Sequence, residues 1–62
     1  MDLREARKAR GLSQIALAEL AGIHPRQIQK IEAGEILLQN ITLGTASRLA
    51  AALGIPVEEL LK

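Results

Sequence analysis

The sequence predicts an all-α fold, a compact arrangement of five short helices. Alanine and leucine are its commonest residues and none of its 62 residues is aromatic, a composition that favours helices over strands. Four of the five glycines and both prolines divide the chain into segments of helical length, within which apolar residues recur at three- and four-residue spacing. We therefore expect one helical domain over residues 1–62.

The first three helices are predicted from the residues at their ends. Asp2 is the expected N-cap of helix 1, residues 3–10, and Ser13 is that of helix 2, residues 14–21. Helix 3, residues 25–33, is expected to begin at Pro25, because proline suits the first helical position. A glycine follows each of these helices, as is common at helix ends.

The second half of the chain contains a loop and two further helices. Residues 35–41 are predicted to form the loop, after which Thr42 caps helix 4, residues 43–53. Pro56 introduces a short helix 5, residues 57–61. The predicted inward face of helix 4 is made of five apolar residues, Leu43, Ala46, Leu49, Ala50 and Leu53.

Two features point towards a polyanionic partner for the first half. Helices 2 and 3 are joined by only three residues, 22–24, a connection typical of a helix-turn-helix unit. Residues 1–31 carry six basic and three acidic side chains, whereas residues 32–62 carry two basic and four acidic ones. Nucleic acid would therefore prefer the first half.

The outward face of helix 3 has the chemistry that recognises bases. At about 100° per residue, Ile28 and Ile31 face inward, so Arg26 and Lys30 point away from the core. Glutamines 27 and 29 flank these two cations. Arginine and lysine bind the N7 and O6 atoms of guanine, and glutamine binds the N6 and N7 atoms of adenine. The pattern predicts a helix that reads base edges.

The segment 13–35, SQIALAELAGIHPRQIQKIEAGE, resembles the helix-turn-helix of the lambda-repressor-like transcriptional regulators, the Cro/cI or Xre type. The resemblance extends over nearly the whole chain, from LREARKARGLSQ to ALGIPVEELL. It implies a compact five-helix lambda-repressor-like domain in which helices 2 and 3 form the helix-turn-helix. It also implies a small regulator, expected to be a repressor, that binds double-stranded DNA at a palindromic operator as a homodimer.

The resemblance assigns roles to individual residues. Helix 3 is expected to enter the major groove and to contact bases through Pro25, Arg26, Gln27, Gln29 and Lys30. Phosphate contacts are expected from Ser13, Gln14, Arg4, Arg10, His24 and Asn40. Arg7 and Glu32 stand where the family carries a structural ion pair between helix 1 and the end of helix 3.

Two of the departures from the family pattern leave alternatives open. His24 replaces the usual serine or threonine cap of helix 3, and it is open whether it acts as a weak cap, a phosphate contact or exposed surface. Ile36, Leu37 and Leu38 form an apolar run in a loop that should be polar. They either enlarge the core or, with Leu61, form a dimer contact.

Other functions are disfavoured by what the chain lacks. It has no cysteine and a single histidine, so we expect no metal site, no cofactor and no enzymatic activity. No apolar stretch approaches the roughly 20 residues of a membrane span, and a cytoplasmic, nucleoid-associated protein of prokaryotic or phage type is expected. The main alternative is a protein-interaction module, such as an antitoxin-like domain that binds a partner protein.

Overall fold

The computed structural model describes residues 2–61, and this part of the chain contains five α-helices and no β-strand. The helices are α1 (Leu3–Ala9), α2 (Gln14–Ala21), α3 (Pro25–Glu32), α4 (Leu43–Leu53) and α5 (Val57–Leu60). The predicted all-α class is confirmed, and α2 and α4 have the predicted bounds. The other three helices end one residue early, because Arg10, Ala33 and Leu61 are C-caps rather than helical residues.

The predicted N-caps form through side-chain oxygens. Asp2 accepts a hydrogen bond from the backbone N–H of Arg4 at 3.4 Å, and Ser13 accepts one from Ala16 at 3.0 Å. Thr42 accepts one from Thr45 at 3.1 Å. Each bond satisfies an N–H group that the first turn of the helix cannot pair, which is why the helices begin at these residues.

The core is aliphatic and is centred on α2, which packs against both α3 and α4. Alanines at the helix contacts, including Ala18 and Ala46, are almost fully buried and allow close packing. Burying each large aliphatic side chain contributes about 1.5–3 kcal/mol. The most deeply buried large side chains are Leu3, Leu17, Ile28, Leu49, Leu53 and Leu60.

One residue of the predicted inward face of α4 lies outside the core. Leu43 is 68% exposed, whereas Ala46, Leu49, Ala50 and Leu53 are buried as predicted. Leu43 is the first residue of α4, and its position in the helical period puts it on the same face as the buried residues. It is exposed because the buried part of α4 begins only one turn later, at Ala46.

The loop between α3 and α4 contributes to the core and includes an unpredicted 3-10 turn, Leu38–Asn40. Ile36 and Leu38 are half-buried and pack against the core, as one of the two interpretations of this segment required. Leu37, between them, is 54% exposed. The longest described helix, α4, has 11 residues, and no described helix is long and apolar enough to cross a bilayer.

Candidate nucleic-acid interface

The exposed face of α3 has the composition that the helical period predicts. Ile28 and Ile31 are buried, whereas Arg26, Gln29 and Lys30 are exposed. Pro25 and Gln27 are half-buried at the edge of this face. The structure therefore places the five predicted base-contacting residues, 25, 26, 27, 29 and 30, on one helix, with both cations and Gln29 exposed.

His24 caps α3. Its Nδ1 atom accepts a hydrogen bond from the backbone N–H of Arg26 at 3.1 Å, and Pro25 occupies the first helical turn. This bond uses Nδ1, so Nε2 is the ring nitrogen that is left for a further contact. The ring is exposed, so the cap and the exposed-surface interpretations hold together. A phosphate contact by His24 through Nε2 stays a prediction.

The chain reverses direction after α3 and returns towards the exposed face. Gly34, with φ of +82°, lies in the left-handed region that glycine adopts without strain. The N–H of Glu35 donates to the carbonyl oxygen of Lys30 at 2.9 Å, and that of Gly34 donates to Ile31 at 3.1 Å, which together form a Schellman motif. The next N–H, that of Ile36, also lies 3.3 Å from the Lys30 oxygen.

Two shallow hollows lie on either side of the ridge formed by Arg26 and Lys30. The first, of about 560 Å³, is completed by His24, Gln27 and Ile36. The second, of about 370 Å³, is completed by Gln29, Ala33 and Glu35. Sequence reasoning did not place Ile36 beside the exposed face of α3. The sequence signal for this placement is Gly34 alone, because a glycine after a helix end favours a turn that brings the following chain back towards the helix.

A network of hydrogen bonds at Glu32 attaches the other end of α3 to α1 and α2. The carboxylate, with a side chain only 1% exposed, accepts from Arg7 Nε at 2.7 Å and from Arg7 Nη2 at 3.0 Å. Gln14 Nε2 donates to Oε1 at 3.0 Å, and Arg4 Nε lies 3.4 Å from the same oxygen. Arg7 also donates through Nη1 to the carbonyl of Leu12 at 2.8 Å.

The charges in this network are stabilised by their partners. Burial alone would raise the pKa of Glu32, but hydrogen bonds from Arg7 and Gln14, together with the charge of Arg7, lower that pKa below its ordinary value. The hydrogen bond to Glu32 raises the pKa of Arg7. Both groups are therefore ionised at neutral pH, and the Arg7–Glu32 pair fixes the orientation of α3.

The residues predicted to contact phosphate have several different environments. Ser13 caps α2, and the side chains of Gln14 and Arg4 bond to Glu32, although Arg4 remains 52% exposed. Asn40 is exposed in the 3-10 turn. Their phosphate contacts stay predictions, because the free protein does not test them.

Arg10 has a structural partner that sequence reasoning did not identify. Its Nη1 atom donates to the carbonyl oxygen of Leu53 at 3.3 Å, at the end of α4. The same atom lies 2.6 Å from the position that a Cβ on Gly54 would occupy. A cation at a helix C-terminus is stabilised by the helix dipole. In the free protein Arg10 therefore joins the end of α1 to the end of α4, and the phosphate contact predicted for it stays a prediction.

The four predicted dimer residues border one groove. Ile36, Leu37, Leu38 and Leu61 line a hollow of about 230 Å³ together with residues that include Leu3, Ile31 and Leu60. The fold thus brings the apolar loop and the C-terminal helix together, as the dimer hypothesis requires. Leu37 alone among the four is exposed, and the other three are half-buried. Within residues 2–61 no three potential metal ligands come together.

Comparisons with known proteins identify the fold. The family model described as helix-turn-helix matches residues 3–60. The structure is similar to that of the restriction-modification controller protein C.AhdI from Aeromonas hydrophila, with a TM-score of 0.85. The two chains are 41% identical, over 95% of this chain and 85% of the other. Among curated proteins no sequence matches significantly. The chain belongs to the helix-turn-helix family of Xre/Cro-cI-like DNA-binding transcriptional regulators.

Proposed function

We propose that this regulator recognises specific double-stranded DNA sequences by inserting the exposed face of α3 into the major groove. The observation that carries the proposal is the ridge of Arg26 and Lys30, exposed directly opposite the buried Ile28 and Ile31. An α-helix fits the major groove, and guanine presents two acceptors there that such cations bind. Gln27 and Gln29 are the proposed adenine contacts, and Pro25 offers an apolar one.

The rest of the fold positions α3. The Glu32 network holds its C-terminal end against α1 and α2, and His24 completes its N-terminal end. We propose that Ser13, Gln14 and Arg4 then face the phosphate backbone, where the N-terminus of α2 supplies unpaired N–H groups. Asn40 is proposed as a further contact from the loop. The protein is proposed to act by binding alone, without a cofactor or a catalysed reaction.

A homodimer is proposed as the DNA-binding form. The groove beside the exposed Leu37, bordered also by Leu61, offers an apolar surface for a second copy of the chain. A two-fold dimer would place two copies of α3 about 34 Å apart, the length of one DNA turn, and would therefore require a palindromic operator. Sedimentation of the protein with and without operator tests this: a monomer that binds single half-sites would contradict the dimer.

The likeness to C.AhdI supports a finer proposal. The two chains are 41% identical over 95% of this chain, and on this likeness we propose that this protein is also a restriction-modification controller. Its operator would then lie upstream of genes for a restriction endonuclease or a DNA methyltransferase. The test is to map the protein's binding sites on its own genome. Sites confined to unrelated genes would contradict this finer proposal alone.

Selection from random DNA followed by titration over a salt series tests the proposed function. We expect a palindromic consensus and an affinity that falls steeply as salt rises, because phosphate contacts release counterions. The competing function is a protein-interaction module of the antitoxin type, which would show no sequence preference. In that case a partner protein, and not DNA, would protect the exposed face of α3 from hydrogen exchange.

A further inference from the structure

We propose that Ile36, which lies outside the recognition helix, determines sequence specificity by contacting the C5-methyl group of a thymine beside the base that Gln27 reads. The inference rests on the proposed function and deepens it. Ile36 is half-buried and packs against the core on one side. On its other side it borders the 560 Å³ hollow beside α3.

The position of Ile36 is determined by backbone hydrogen bonds. The Schellman turn at Gly34 returns the chain onto α3, and the N–H of Ile36 lies 3.3 Å from the carbonyl oxygen of Lys30. The side chain therefore enters the surface between α3 and the loop in a fixed register with Lys30. A residue held in this way loses little further conformational freedom on binding.

The chemistry of the hollow favours a methyl group of DNA as the occupant. Ile36 is the one aliphatic side chain among the residues that line this hollow, and the others are His24, Arg26, Gln27 and Lys30. The two cations favour a polyanion over an apolar protein segment. In the major groove the thymine methyl is the apolar group that a base edge presents. A polar hollow with one aliphatic wall therefore matches a base step that contains thymine.

The hollow on the opposite side of the ridge lacks this chemistry. It is lined by Gln29, Ala33 and the acidic Glu35 in addition to the two cations. Ala33 offers a single methyl group there, whereas Ile36 offers a branched side chain. We therefore place thymine recognition on the side of Gln27 and not on the side of Gln29.

Replacing thymine by deoxyuridine in the selected operator, one position at a time, removes only the methyl group and tests the proposal. We expect one thymine per half-site whose replacement raises the Kd about three- to fourfold, the effect of one buried methyl group. In Ile36→Ala the same replacement should leave the Kd unchanged. Leu43→Ala removes an exposed leucine of α4 away from the hollow and is the matched control. In this variant the thymine replacement should still raise the Kd by the full amount.

Two further measurements keep the proposal testable if Ile36→Ala folds poorly. Ile36→Val retains most of the packing and should reduce the deoxyuridine effect. In wild-type protein labelled at the isoleucine methyl groups, a nuclear Overhauser effect should join Ile36 to that thymine methyl. A deoxyuridine effect that persists in Ile36→Ala, or that disappears in Pro25→Ala instead, would overturn the assignment. Specific binding without any deoxyuridine effect would overturn it too, whereas binding without sequence preference would overturn the proposed function as well.

Discussion

The Glu32 carboxylate accepts two hydrogen bonds from the Arg7 guanidinium, at 2.7 and 3.0 Å, and so joins α1 to the C-terminal end of α3. Both side chains are largely buried. The pair lies at the opposite end of α3 from His24, so the C-terminal end of this helix is attached to α1 and its N-terminal end is closed by a local cap.

Arg7→Met should destabilise the fold strongly. Removing one partner of a buried ion pair costs about 3–5 kcal/mol, and we expect the lower end because Gln14 and Arg4 still bond to Glu32. A domain of this length has a total stability of about 3–9 kcal/mol, so the loss is a third of that stability or more and the urea midpoint of the variant should fall well below that of the wild type. Urea unfolding followed by circular dichroism measures the loss. Arg4→Met is the matched control: its exposed contact with the same carboxylate should be worth under about 1 kcal/mol. Equal losses in the two variants would contradict this assignment.

The stability should fall in acid because the pKa of Glu32 is lower in the folded protein than in the unfolded chain. Its contribution is complete above the ordinary value of 4.5 and disappears as the pH falls through the lower folded value. Urea midpoints for wild type and Glu32→Gln, measured from pH 7 to pH 3, give the effect by difference. The variant should be less stable than the wild type at pH 7, and the difference between their urea midpoints should become smaller in acid. A difference that stayed constant with pH would show that Glu32 does not titrate in this way.

His24→Ala should cost about 1 kcal/mol of stability because the backbone N–H of Arg26 loses its acceptor. His24→Ser should retain most of that stability, since a serine oxygen can accept the same bond. Thermal unfolding of wild type, His24→Ser and His24→Ala at neutral pH checks this order of stability. If His24→Ala and His24→Ser were equally stable, the cap would contribute nothing measurable.

Arg10→Met should affect folding more than DNA binding. It removes the hydrogen bond to Leu53 and a cation at the C-terminus of α4, together worth about 1 kcal/mol. The salt dependence of operator binding should keep its slope, whereas loss of a phosphate contact would reduce the slope by about 1. Lys8→Met, which removes an exposed cation of α1, is the control for the change in net charge. A reduced slope confined to Arg10→Met would show that Arg10 contacts phosphate, as the sequence predicts.

The parts of the fold that depend on local chemistry could be predicted from the sequence. Asp2, Ser13 and Thr42 start helices through bonds to N–H groups two or three residues away, so their neighbours in sequence determine the outcome. The exposed ridge of α3 also follows from period alone, because Ile28 and Ile31 define the buried side. The capping residues and the helical period are therefore enough to locate the candidate interface from the sequence.

The features that could not be predicted arise where distant parts of the chain meet. Leu43 has the correct helical phase but lies beyond the end of the core, and phase carries no information about where a packing partner stops. Arg10 bonds to Leu53, 43 residues further along the chain. Ile36 packs against the core, as one of its two interpretations required, and a backbone turn also brings it beside the exposed face of α3.

The central claim is that the exposed face of α3 selects the DNA sequence, and selection from random DNA with wild type, Arg26→Ala and Arg48→Ala tests it most directly. Arg48 is an exposed arginine of α4, so its removal matches the change in charge without altering α3. We predict a palindromic consensus for wild type and Arg48→Ala. Arg26→Ala should relax the preference at one position of each half-site and weaken binding by about 1–3 kcal/mol. An unaltered consensus in Arg26→Ala, or no consensus for the wild type, would contradict the account.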